Sequence, residues 1–420
     1  MRLPFRTASS PSIRLLQRSL YSTMFDTQVR KVSASNFTFE NATHSEFPEQ
    51  NATSVIASEH DKQAIHEAVS WLSKNEAIGI PTETVYGLAA NALNADAVSK
   101  IFAAKNRPQD NPLIVHVSSI DMLKSILPDN HVPEVYLPVI KQHWPGPLTI
   151  ILPASPMIPT SVTCGHPTVA VRFPAHPVAR SLIEACGFPL AAPSANSSGK
   201  PSPTLASHVF HDLQSRIPLI LDGGACDVGV ESTVLDGLRS PPAILRPGGL
   251  TYEALNQVPG MNNLQVYRKH FVDKELEAAP TTPGMKYRHY SPEAMVILID
   301  RKDEEDTAFD TKFDSVWKEQ LKAIRASGVG VSKIGMLRTT QDGHDVVWET
   351  TSTTDNVECV SLQMGRHGHP EEVARGMFKG LRELDTQAVD LIFVEGISED
   401  REGMAVMNRL RKAASKIIEV

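Results

Sequence analysis

The sequence predicts an α/β protein of two unequal domains. Three observations carry that reading. The 420 residues exceed what one ordinary hydrophobic core organises. Short apolar runs of strand length alternate with helix-period segments along most of the chain. That alternation breaks once, at a stretch ending in the proline- and aromatic-rich "AAPTTPGMKYRHYSP". The division is therefore a leading segment 1–57, a larger domain 58–257, a linker 258–293 and a smaller domain 294–420.

Residues 1–24 hold four arginines, several Ser and Thr and no acid, the composition of a mitochondrial presequence. Met24 closes the stretch and offers a second start, so mitochondrial and cytoplasmic forms are expected. Residues 26–57 are polar without periodicity and are expected to be disordered. Ser58, with Asp61 three residues on, caps a helix whose inner face is Ile65, Val69 and Leu72. "AIGIP" is a buried strand ended by Pro81, and residues 95–105 form a short helix with Val98, Ile101 and Phe102 inward. "LIVHV", "LTIIL", "TVAVRF" and "LIL" at 219–221 follow as strands, too closely spaced for a regular βαβ series. In the second domain "MVILID" and "VDLIFVEG" are buried strands. Pro370 opens a helix facing inward through Val373, Met377, Leu381 and Leu384, and "GMAVMNRLRKAASKII" is a last helix.

Composition excludes several classes. No apolar run reaches the roughly 18–20 residues of a membrane span. Four cysteines without a CxxC pair argue against a disulfide scaffold or a thiolate zinc site. Setting aside the four arginines of residues 1–24 lowers the net charge from −7 to −11, so weak or no direct tRNA binding is expected. No Walker A motif, GxSxG or HExxH is present. "GKPSP" at Gly199 has Pro201 where Ser or Thr is needed, and "GVGVSKIG" at 328–335 has the wrong spacing for a dinucleotide loop.

The remaining candidates are polar residues set in or beside apolar runs. "KNRPQDNPL" places Lys105 and Arg107 after a helix end, in a loop stiffened by Pro108 and Pro112. Read alone it is a solvated basic turn or a phosphate clamp made by side chains, since a helix C-terminus disfavours anions. "FPLAAPSANSSGKPSPT" clusters Ser194, Asn196, Ser197, Ser198 and Ser202 at a strand end, a polar surface loop or a polyphosphate cradle. Arg172 ends another strand, as a surface ion pair or an anion ligand, and His116 is a core histidine or a ligand. "PTETVYGLAANA", "VESTVLD" and "ILRPGG" repeat the pattern. Several such residues in one domain favour a polar pocket, because buried polar groups need partners.

Taken in order, "PTETVYGLAANA", "KNRPQDNPL", "WPGPLT", "RFPAHP", "APSANSSGKPSPT", "VESTV" and "LRPGG" resemble the successive blocks of the threonylcarbamoyl-AMP synthase family. "PGMKYRHYSP" and "GMAVMNRLRKAA" resemble the linker and C-terminal domain of its long form. Thr282 stands where that linker usually has Ser. The resemblance implies a YrdC-like twisted mixed sheet with helices, followed by a smaller Rossmann-like α/β domain. It implies a nucleotidyltransferase that converts L-threonine, bicarbonate and ATP to threonylcarbamoyl-AMP and pyrophosphate. A second complex would pass the threonylcarbamoyl group to tRNA. By motif, Thr84, His116, Arg172, Ala192 and Ser232 would bind threonine. Lys105, Arg107, Asn111, Thr168, Ser194, Asn196, Ser202, Arg246, Tyr287 and Tyr290 would bind ATP, with Lys105, Arg107, Ser194 and Asn196 central to catalysis. Mg2+ would accompany ATP, with no protein-made site evident. The rival readings are an RNA-binding YrdC-like module and a carbamoyltransferase of metallocentre maturation. The Cys-rich fingers of the latter are missing from this sequence.

Overall fold

The computed structural model describes residues 25–43, 45–47, 49–267, 269–273, 281–282, 289–301, 309–340, 350–354 and 357–420. Residues 1–24, and Tyr287 in the linker, lie outside the described residues.

The larger domain is built on an eleven-stranded mixed sheet. From one edge its strands run Gln28–Lys31, Leu219–Asp222, Ile78–Ile80, Gly87–Asn91, Leu190–Ala191 and Ile114–His116. Thr168–Arg172, Leu148–Pro153, Thr233–Asp236, Ala243–Arg246 and Gln265–Val266 complete it. Six of the ten pairings in this sheet join strands that are not consecutive along the chain, in keeping with the irregular strand spacing. Helix Glu59–Ser73 starts as its cap predicts, with the Ser58 side chain accepting from the Asp61 amide. It packs with helix Pro177–Cys186 on one face, burying Ile65, Leu72, Val178 and Leu182. Helix Ala95–Lys105 covers the other face through Val98, Ile101 and Phe102. It ends at Asn106, whose left-handed backbone (φ 51°) turns Arg107 back toward the sheet.

Residues 26–57 are not disordered along their length. Gln28–Lys31 joins the sheet parallel to Leu219–Asp222, and Phe37–Glu40 pairs with Thr53–Ile56. Their order comes from partners distant in sequence, such as the Thr27 hydroxyl donating to the Ile217 carbonyl at 2.6 Å. A polar edge strand satisfied in this way carries little local signal.

The second domain is a six-stranded sheet in the order Thr350–Thr354, Val357–Arg366, Lys333–Thr340, Leu391–Glu395, Met295–Asp300, Lys416–Glu419. All its pairings are parallel except that of the first strand. Helix Phe309–Ala326 lies against one face, and helices Pro370–Thr386 and Gly403–Ala413 against the other. The expected last helix stops at Ala413. "KIIE" instead forms the edge strand beside Met295–Asp300, where Ile418 meets the apolar cluster. Among the described residues no helix is long and apolar enough to cross a membrane.

The two domains are packed together, not merely tethered. Val85, Val230 and Tyr290 belong to the same buried cluster as Val373, Met377 and Phe378. Gly229 makes the approach possible: a Cβ there would stand 2.4 Å from the Arg375 Cα.

Candidate active site

A narrow cleft forms where the ends of several strands and their following loops converge. Its walls include Thr84, Arg107, His116, Arg172, Ser194 and Ser232, with Ala192, Glu231, Arg246, His289 and Tyr290 around them. Arg172 and His116 are adjacent strand ends, paired in register, and Arg246 ends Ala243–Arg246 two strands beyond Leu148–Pro153. The "VESTV" and "LRPGG" segments touch because Gly248 has no side chain; a Cβ there would lie 2.3 Å from the Glu231 carbonyl oxygen. Arg246 then donates to the Ser232 carbonyl at 2.9 Å and its hydroxyl at 3.2 Å.

At one end, Arg172 is buried and held on three sides. Its Nη1 donates to the Thr84 hydroxyl at 2.7 Å and its Nε to the Gly146 carbonyl at 3.4 Å. Its Nη2 pairs with Glu83 at 2.6 Å. Despite burial, this pairing holds the Glu83 carboxyl below its ordinary value, so the carboxylate is charged near neutral pH. Ser232 shares a 2.8 Å hydrogen bond with Thr149. His116 faces the Ile114 carbonyl through Nδ1 at 3.1 Å. Burial, helped by the Arg172 charge, lowers its pKa to about 3, so the ring is neutral near pH 7. The Ala192 amide is already spent on the Ile114 carbonyl at 3.0 Å.

At the other end, Arg107 donates to the Asn111 carbonyl at 3.0 Å and the Pro112 carbonyl at 3.3 Å. Its Nε, and the Asn111 Oδ1, are buried without hydrogen-bond partners among the described residues. Burial lowers the Arg107 pKa to about 10, which leaves it charged near neutrality. Lys105 does not line the cleft. Its ammonium is buried behind the Ser194–Asn196 loop, bonded to the Ser194 carbonyl and, at 2.7 Å, to the Asn196 carbonyl. Burial pulls its pKa well down, with the Arg107 charge adding to the effect. Asn196 turns inward as well, donating to the Ser197 and Lys200 carbonyls at 2.8 and 3.0 Å. Ser202 is fully buried and donates to Glu231 at 2.6 Å. Thr168 starts the strand that Arg172 ends and is outside the lining.

Tyr290 is 1% exposed, with its ring 5.3 Å from that of Phe378 in the second domain. His289 stacks edge-on against it at 4.2 Å. With these two residues in place the cleft keeps about 40 Å³ of space, room for a few waters at roughly 10–15 Å³ each.

Sequence reasoning passed over Glu83 and Glu231, although both sit inside the quoted motifs. It also passed over His289 and Arg409. An acid inside an apolar run, as in "VESTV", was the available signal, because a buried carboxylate demands a cation.

Residues 70–248 match the family model described as "Telomere recombination", and 250–415 match that of the threonylcarbamoyl-AMP synthase C-terminal domain. The threonylcarbamoyl-AMP synthase of Schizosaccharomyces pombe is 44% identical over 94% of this chain and 99% of its own. The chain belongs to the threonylcarbamoyl-AMP synthase family. The Bacillus subtilis threonylcarbamoyl-AMP synthase is 42% identical, over 83% of this chain and 92% of that one. The solved structure of Pyrococcus abyssi Sua5 complexed with L-threonine aligns with a TM-score of 0.72 at 40% identity, covering 86% of this chain and 96% of that one. The family and fold class expected from the sequence are both borne out.

Proposed function

We propose that the cleft forms threonylcarbamoyl-AMP and pyrophosphate from L-threonine, bicarbonate and ATP. Threonylcarbamoyl-AMP synthesis, a nucleotidyl transfer, is the activity of the family to which the chain belongs. The observation that carries the assignment of substrates is the set of three buried arginines, Arg107, Arg172 and Arg246, on the wall of one cleft. Guanidinium groups stay charged and act strongly on anions in a site that excludes water.

Arg172 marks the amino-acid end. Three of its N–H directions are engaged, and a guanidinium has five donors, so two are left for the threonine carboxylate. The relative crystallised with L-threonine supports this choice of substrate. His116, neutral at this end, adds no charge that would oppose a cationic or neutral amine. The neutral amine forms a bond to the carbon of CO2 derived from bicarbonate and loses a proton, giving a carbamate. A carbamate oxygen then bonds to the α-phosphorus of ATP. The bond from that phosphorus to its bridging oxygen breaks, and pyrophosphate leaves with the electron pair. No enzyme nucleophile is required, so positioning and charge neutralisation carry the catalysis.

Arg107 and Arg246 would take the phosphates, with the Ser194 loop held in place by Lys105 from behind. Asn111, Asn196, Ser202, Thr168, Tyr287 and Tyr290 would serve the nucleotide less directly. The carboxylates near the cleft, Glu83 and Glu231, are each tied to an arginine, so the chain's own groups do not fit a protein-held magnesium ion. Mg2+ enters as part of the nucleotide substrate, liganded by phosphate and water. The labile mixed anhydride would pass to a tRNA-modifying complex.

The test is pyrophosphate release from ATP by the full chain. It should require L-threonine and bicarbonate together. An RNA-binding module would instead bind tRNA and release no pyrophosphate under any combination.

A further inference from the structure

The second domain sends two buried arginines into the first. Arg382, on helix Pro370–Thr386, donates to Asp212 at 2.9 Å and, through Nε, to the Pro201 carbonyl at 3.0 Å. Arg409, on helix Gly403–Ala413, is fully buried. Its Nε donates to Glu231 Oε2 at 3.0 Å and its Nη1 to the Pro247 carbonyl. Glu231 Oε1 meanwhile accepts from the Ser202 hydroxyl at 2.6 Å. The Arg409 guanidinium also lies 5.8 Å from the centroid of the Tyr290 ring. One side chain of the second domain therefore holds the "VESTV" wall, the "LRPGG" loop and the linker tyrosine together.

Glu231 poses an electrostatic problem that Arg409 solves. The carboxylate is buried in the wall of a cleft read here as a polyphosphate site. Arg409 and Arg246 keep its pKa down at about 2, so it is charged at neutral pH. An uncompensated buried carboxylate there would repel the nucleotide and pull Arg246 away from it. The Nη2 of Arg409 is buried and has no acceptor among the described residues, which leaves the network one acceptor short.

We propose that Arg409 is a positioning residue for adenylate formation: through it the second domain neutralises Glu231 and fixes Ser202 and Tyr290. The nucleotide half of the cleft is then complete only when that domain is docked. This gives the domain a role in the chemistry without requiring it to touch threonine. The inference rests on the reading of the cleft as the adenylating site.

The experiment measures binding of Mg2+-ATP and of L-threonine to the full chain by calorimetry, for the parent, Arg409→Gln, and Arg409→Gln combined with Glu231→Gln. Arg409→Gln should weaken ATP binding at least tenfold and change threonine binding less than twofold. The double variant, which removes the stranded carboxylate, should bind ATP at least threefold more tightly than Arg409→Gln. If circular dichroism shows Arg409→Gln unfolded, Arg409→Lys takes its place. It keeps the charge and loses the fork, and its expected ATP loss is about fivefold with threonine again within twofold. Equal losses for both ligands, ATP binding within twofold of the parent, or no recovery in the double variant (where Arg409→Gln folds) would each overturn the proposal, since a purely structural arginine would give them. A parent that binds ATP but releases no pyrophosphate with threonine and bicarbonate would count against the adenylating reading instead.

Discussion

Replacing Arg172 by Lys isolates the amino-acid end of the cleft. Alanine would be the wrong choice, because Glu83 pairs with Arg172 at 2.6 Å and would be left as a buried, unpaired charge, a change that costs about 3–5 kcal/mol. Lysine keeps a cation beside Glu83. What it loses is the planar fork that reaches Thr84, Gly146 and Glu83 at once. A threonine carboxylate seated on the two remaining N–H groups would then lose one or both charge-assisted bonds, each about 1.5–3 kcal/mol. Loss of one bond weakens threonine binding roughly 10- to 150-fold. ATP binding, which we propose centres on Arg107 and Arg246, should change less than about threefold. Calorimetric titration of each ligand separately reads both quantities. Equal weakening of the two ligands, or unchanged threonine affinity, would refute the placement of the carboxylate on Arg172.

Arg107→Ala should weaken ATP binding by about 1.5–3 kcal/mol through loss of one charge-assisted phosphate contact, with unchanged circular dichroism; parental ATP affinity would remove it from the site. Burial in the cleft lowers the His289 pKa to about 3 from 6.5, so docking of His289 is favoured fully above about pH 6.5 and weakens as pH falls toward 3. Each pH unit below 6.5 costs about 1.4 kcal/mol of docking. Protection factors at residues 289–291, referred to intrinsic exchange at each pH, should fall between pH 6.5 and 5 in the parent and not in His289→Gln; identical profiles would contradict the link. Tyr290→Ala should lower the yield of threonylcarbamoyl-AMP per ATP consumed, because it removes the ring that is buried against Phe378 and narrows the cleft, and so admits water to the mixed anhydride. An unchanged yield would make the linker only a connector.

The parts of the fold that sequence exposes best are those with a local cause. Ser58 and Asp61 cap a helix by contacts three residues apart, and Ile78–Ile80 is an apolar run closed by Pro81. Gln28–Lys31 escapes notice because its order depends on pairing with Leu219–Asp222, far along the chain. The end of the last helix is misjudged for a similar reason. Ile417 and Ile418 continue an apolar pattern, and only the open edge of Met295–Asp300 makes them a strand. In the cleft, the motifs identify the loops but not the direction each side chain takes. Lys105 stands two residues from Arg107, yet it is buried behind the Ser194 loop while Arg107 lines the cleft. Nor does any local pattern announce that Arg409 meets Glu231, because the ion pair exists only once the two domains pack.

The most direct test of the central claim follows the carbon of bicarbonate. The full chain is incubated with isotopically labelled bicarbonate, Mg2+-ATP and L-threonine, and the products are separated and weighed by mass spectrometry. The account predicts one labelled carbon in an adenylate that also contains threonine, formed in equal amount with pyrophosphate, and none when threonine is omitted. Pyrophosphate without a labelled adenylate, or a labelled adenylate formed without threonine, would contradict it.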